Sequence, residues 1–168
     1  MQTEAWQRFG RIFADIKSHW DKRRSLDSEL ICKQGLCMNS SVLKLQKASW
    51  TNDRMDRIQN ESGVFFSIWV NEKTASKNRA NYNIHALKLR HLKGYSIASR
   101  DFAQEFRSRF TRLQDQWPNV ALEYGPLTLM EGWIAVNETS AERSILLMMK
   151  QFEQVSPLID HLLESRRT

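Results

Sequence analysis

Gly63-Val64-Phe65-Phe66-Ser67-Ile68-Trp69-Val70 is apolar on both alternations of an extended chain. Val64, Phe66, Ile68 and Val70 share one side, and Phe65 and Trp69 share the other. A run of this kind suits a central strand covered on both faces. Upstream, Glu29 to Met38 and Ser41 to Trp50 read as two strands joined through Asn39-Ser40. In the second of these, Leu43 and Leu45 point one way while Lys44 and Gln46 point the other. Thr51 to Ser62 is polar and mixed in charge, as a loop is.

Downstream, Asn71 to Asn81 reads as a long polar hairpin loop, and Tyr82 to Leu92 interleaves apolar and basic residues. That alternation describes a strand with one face on a core and one in water. Its phase slips, because Tyr82, Ile84 and Ala86 share one parity and Leu87 and Leu89 the other. Either a bulge near Ala86-Leu87 or a helical end accounts for the slip, and the bulged strand is the expectation.

Helices flank these strands. Thr3 caps a helix expected to reach about Arg24, with Trp6, Phe9, Phe13, Ile16 and Trp20 on one stripe. Ser25 to Ser28 reads as a turn. Ser99 caps a second helix with Phe102, Phe106, Phe110, Leu113 and Trp117 on its stripe, and Pro118 stops it. Val120 to Tyr124 and Leu127 to Val136 read as two further strands around Gly125-Pro126. Thr139 or Ser140 caps a last helix through Ile145, Met148, Met149, Phe152 and Val155, which Pro157 either kinks or restarts. Residues 163–168 read as a frayed tail. The order is helix, four strands, helix, two strands, helix. Short links between consecutive strands imply antiparallel pairing, so the class is α+β: one domain over 1–168 with a single antiparallel sheet of five to six strands and three helices packed on it.

Composition agrees with a folded, water-soluble chain. In 168 residues the apolar share is 41%, with six Trp, eight Phe and three Tyr, enough for a real core. No apolar run approaches the roughly 20 residues of a membrane span, so no membrane partner is expected. The segment Met1 to Trp6 has an early acid and no apolar signal core, and Cys32 and Cys37 are the only cysteines. Both facts point to a reducing, cytoplasmic setting.

Charge is unevenly placed. The window Lys73 to Arg100 holds seven Lys and Arg, with His85 and His91, and no Asp or Glu. The rest of the chain sums to nearly zero, so this window supplies the net +6. Such a surface attracts nucleic acid or an acidic protein. The binding residues expected from it are Lys77, Arg79, His85, Lys88, Arg90 and Lys93. Tyr82, Tyr95 and Trp50 are stacking candidates; Trp50 at a strand end is expected to be more exposed than Trp69. The same charges would also serve merely to keep a sheet face soluble and its edge unpaired.

Motifs for catalysis are scarce. There is no Gly-rich phosphate loop, no nucleophile elbow and no paired-histidine zinc motif. Two cysteines five residues apart and four scattered histidines do not make a zinc site. Glu72-Lys73 and Glu123-Tyr124 lack the spacing of a cation-dependent nuclease. His85 and His91, six apart on a strand, would lie about 20 Å from each other and cannot share one site unless the chain bends sharply. No cofactor or metal is expected.

Val42 to Trp50, followed by a polar loop and Gly63 to Val70, resembles the central hairpin of a family of small bacterial cytoplasmic proteins known only as a domain of unknown function. The resemblance spans about residues 1–90. It implies an α+β protein with an N-terminal helix before an antiparallel sheet, and it carries over no functional residues. The reading that follows is a non-enzymatic binding domain. Two others stand beside it: a small hydrolase-like enzyme with a pocket between sheet and helix, using His85 or His91 with Glu123 or Glu131, and an immunity-type or adaptor protein holding one protein partner. An exposed strand also leaves a homodimer open.

Overall fold

A computed structural model describes residues 4–23, 29–56, 58–59 and 62–168. The expected cap at Thr3 and the turn at Ser25 to Ser28 lie outside these. The elements run α1 (Ala5–Arg23), β1 (Ile31–Cys37), β2 (Ser40–Gln46), β3 (Gly63–Val70), α2 (Glu72–Ser76), β4 (Arg79–Leu87), α3 (Ser99–Phe110), β5 (Thr128–Ala135) and α4 (Ala141–Glu164). The strands form one five-stranded antiparallel sheet in the order β1-β2-β3-β4-β5, a meander in which each strand pairs with the next. The α+β class read from the sequence is what the chain adopts.

The three long helices cover one face. Phe9, Phe13, Ile16 and Trp20 bury the stripe of α1, which lies on β1 and β2. At the centre, Phe152 of α4 stacks on Phe66 of β3 with ring centroids 4.6 Å apart. Phe152 also meets Tyr82 at 6.2 Å and Trp117 at 5.3 Å. Phe106 and Phe110 of α3 close the cluster. Burial of this much aromatic surface is the main favourable term in folding.

Several segments differ from the sequence reading. The loop after β3 contains a short helix, α2. Asn71 and Thr74 form a reciprocal capping box that nucleates it, with the Thr74 amide donating to Asn71 Oδ1 at 2.9 Å and the Asn71 amide to Thr74 Oγ1 at 3.0 Å. Val120 to Tyr124 is not a strand. Only Ala121 bridges to Glu131, because Pro118 and the left-handed Asn119 turn the chain before a ladder can extend. The second strand ends at Gln46, and Ala48–Trp50 is a single tight turn.

The phase slip in β4 has two causes. The register against β5 shifts between Ile84 and His85. The strand then ends at Leu87, Lys88 takes a left-handed φ of 48°, and Leu89–His91 forms one 3-10 turn that buries Leu89. The irregularity therefore precedes Ala86-Leu87, and the end of the segment is helical.

Pro157 does not start a fresh helix: the last helix runs through it from Ala141 to Glu164. Proline has no N–H for the Glu153 carbonyl, and the Ser156 hydroxyl donates to that carbonyl at 2.8 Å instead. Nor does the tail fray. The Ser96 amide donates to Arg166 O at 2.8 Å and the Thr168 amide to Gly94 O at 3.0 Å. Arg166 Nη2 donates to Glu105 at 2.8 Å. Among the described residues no helix is long and apolar enough to cross a membrane.

Candidate functional site: the open face of the sheet

Strand pairing fixes what the second face carries. Lys33 faces Lys44, Lys44 faces Ser67, Ser67 faces Asn83, and Asn83 faces Glu131. Cross-strand partners share a face, so this row of five polar side chains crosses the whole sheet on the side away from the helices. The adjacent row is Gly35, Val42, Trp69, Asn81 and Trp133. Trp69 and Trp133 are partly exposed. They stand two strands apart, about 10 Å at the spacing of paired strands. Asn81 lies between them.

Electrostatics along the face run from cationic to mixed. Lys33 is only 7% exposed, and its Nζ donates to Gln46 Oε1 at 3.2 Å. Burial holds its pKa below the ordinary lysine value. Lys44 donates to the Ile58 carbonyl, and its Nζ lies 4.5 Å from the centroid of the Phe65 ring. Burial first, and the facing Lys33 second, bring its pKa down to about 8. The Ser67 hydroxyl donates to Asn83 Oδ1 at 2.6 Å. At the far edge Glu131 accepts a hydrogen bond from Tyr124, whose pKa is raised by burial first and by the Glu131 charge second.

Residues 51–56 and 58–59 shield the β1–β2 side of this face. Ile58 packs where a side chain at Gly35 would point. The loop is tied down by the Ser62 amide donating to Asp53 at 3.0 Å and by Asn52. The Asn52 amide group donates to His91 O at 2.7 Å and its oxygen accepts from the Lys93 amide at 3.0 Å. On the β3–β5 side Phe65, Ser67 and Asn83 are buried, and Trp69, Asn81 and Trp133 are partly exposed.

The sequence-expected binding residues do not form one patch. Lys77 is exposed just after α2, and Arg79 begins β4 with its guanidinium carbon 3.7 Å from the Trp133 ring centroid. Lys88, Arg90 and Lys93 are exposed at the opposite end of β4. Arg79 and Lys88 are nine residues apart along an extended chain, so the two groups are separated by about 30 Å. The window is also not an edge, since β4 pairs on both sides. His85 is half-buried between them; its Nδ1 lies 3.2 Å from Thr128 Oγ1 and 3.4 Å from Leu127 O.

Two of the stacking candidates are buried on the helix side. Trp50 is fully buried, with Nε1 donating to Asp160 Oδ1 at 2.8 Å. Tyr82 is fully buried too, and its hydroxyl donates to Pro118 O at 2.6 Å. Neither is open to an incoming ring. Tyr95 is partly exposed, under the Arg167 guanidinium at 5.2 Å. The exposure order expected for the tryptophans is thus inverted: Trp69 reaches solvent and Trp50 does not. Trp50 is drawn in because the turn at Ala48–Trp50 folds it over Phe66, 5.3 Å away.

A His–carboxylate pair does not form at hydrogen-bond distance. His85 has Thr128 and Leu127 as ring partners, while His91 and Glu123 are exposed. The space between the sheet and helices is filled by Phe66, Phe102, Phe106, Phe110 and Phe152, all fully buried. Cys32 is buried and its thiol pKa is pushed up to about 12 by burial, the mark of an inert thiol. Among the described residues no group of three or more His, Cys, Asp and Glu side chains gathers to hold a metal ion.

Lys33, Ser67, Asn81, Asn83, Trp69 and Trp133 are the residues that reading by segment did not bring together. The parity of Lys44 against Leu43 was available from the sequence. The register that sets Lys44 beside Lys33 and Trp69 beside Asn81 was not. Compared with family models, curated proteins and solved structures, the chain matches none.

Proposed function

We propose that the chain is a non-enzymatic binding domain for a polyanion, with nucleic acid preferred over an acidic protein. One observation carries this. Nine ion pairs form among the described residues, and none uses a cation of the Lys73 to Arg100 window. Other cations among the described residues also lack an ion pair, but this window alone joins seven of them with no Asp or Glu of its own, and those flanking β4 stand at its two ends. A polyanion lying along that strand meets cations at both ends and the partly exposed Asn81 and His85 between them. The filled sheet–helix interface gives no comparable support to an enzyme.

Fluorescence anisotropy with labelled nucleic acid at about 50 and 200 mM salt tests the reading. Binding is expected to fall steeply with salt and to be lost in a folded Lys88→Glu, Arg90→Glu variant. No binding at the lower salt would retire the proposal. A stoichiometric complex with an acidic protein, in the absence of nucleic-acid binding, would transfer the surface to that partner.

A further inference from the structure

Resting on that reading, we infer that the polyanion is a single-stranded nucleic acid, its bases stacked on Trp69 and on the Arg79–Trp133 pair. Two stacking platforms stand on one open face. Trp69 is the first. The second is Trp133 with the Arg79 guanidinium 3.7 Å over its ring. Bases stack on both aromatic rings and guanidinium planes, provided they are free of a duplex. A duplex keeps its bases stacked on each other and is read by elements that enter a groove. A sheet face with tryptophans set among shorter side chains offers no such element.

The floor between the platforms suits base edges. The Asn81 amide has no partner among the described residues, and it is partly exposed. Asn83, one step further along β4 on the same face, is only 3% exposed and its oxygen is taken by Ser67, so Asn81 is the amide within reach of a base. An amide supplies both donor and acceptor to a base edge. Glu131, opposite Asn83, carries the one carboxylate of the polar row. Its charge disfavours a phosphate at mid-track, so the phosphate contacts fall at the two cationic ends, on Arg79 and on Lys88 and Arg90. The track from Arg79 to Lys88 is about 30 Å long, within the span of the shorter single-strand sites.

The test uses labelled oligothymidylate of about ten nucleotides, a duplex of the same length, and heparin. The native protein is expected to bind the single strand about tenfold more tightly than the duplex. Trp69→Ala and Trp133→Ala are each expected to weaken single-strand binding about tenfold, with the heparin affinity and the salt slope unchanged. Tryptophan emission should be quenched by oligothymidylate in the native chain and not in a Trp69→Phe, Trp133→Phe double variant. That comparison stands if an alanine variant fails to fold. Equal binding of single strand and duplex, or no quenching, overturns the stacking inference while salt-sensitive heparin binding upholds the polyanion reading. Failure of heparin and oligothymidylate alike at low salt overturns both.

Discussion

Lys33 and Lys44 stand directly opposite each other on β1 and β2, a like-charged cross-strand pair on a face where both are drawn out of water. Such a pair opposes folding unless neighbouring groups compensate. Gln46, the Ile58 carbonyl and the Asp53 carboxylate supply that compensation. Burial first, and the Lys33 charge second, leave an amine at Lys44 that loses its proton near pH 8 instead of near 10.5.

A lysine whose pKa is depressed by folding is penalised while protonated, and the penalty is lifted as pH rises from its folded to its unfolded value. The native chain should therefore gain about 1–2 kcal/mol relative to Lys44→Met between pH 8 and 10.5, with the partial exposure of the amine allowed for. Urea denaturation of both proteins across that range measures it. The comparison must be with the variant, because Cys32 acts in the opposite direction: its raised pKa makes stability fall above pH 9 in both proteins. Parallel curves for the two proteins would show that Lys44 titrates as an ordinary amine.

His85 gives a second pH dependence. Burial against Phe65 lowers its pKa, with Lys44 adding to that effect, while the Leu127 carbonyl and Glu131 oppose it. The stability it contributes is present above the ordinary histidine value of 6.5 and is lost as pH falls through its lower folded value. Denaturation midpoints should drop as pH falls below 6.5, and His85→Gln should flatten that drop. NMR titration of the His85 ring gives the same answer directly: a midpoint at or above 6.5 refutes it.

Gly132 lies beneath Tyr82. A Cβ at this position would fall on the Tyr82 hydroxyl and ring and within 3.0 Å of Pro118 O. Gly132→Ala should cost about 2–3 kcal/mol, by forcing the ring off its place and breaking the Tyr82–Pro118 hydrogen bond. Tyr82→Phe removes the bond alone and should cost about 1 kcal/mol. Similar losses for the two variants in urea titrations would mean that the ring shifts freely.

Phe152 touches Phe66, Tyr82 and Trp117, which tie β3, β4 and the end of the α3 segment to α4. Phe152→Ala should cost about 3–5 kcal/mol. Leu147 is 54% exposed on the same helix, and Leu147→Ala should change the denaturation midpoint very little. A small effect at Phe152 would place the centre of the core elsewhere.

The amino-acid sequence by itself determined the class of the fold, because class depends on periods that each segment carries internally. Phe9, Phe13, Ile16 and Trp20 make one helical stripe whatever they pack on, and Val64 to Val70 extend whatever they pair with. It also determined where the excess charge lies along the chain. The tertiary structure decided the rest, since the rest depends on partners distant in sequence. Trp50 was folded into the core over Phe66, where Asp160, 110 residues away, accepts from its indole. The tail was pinned by Gly94, Ser96 and Glu105. The cations of one continuous stretch were divided between the ends of β4, because an extended strand separates its ends by its own length. Five residues from five strands became one polar row because antiparallel register, set by turns and by the buried face, aligns side chains that no local pattern connects.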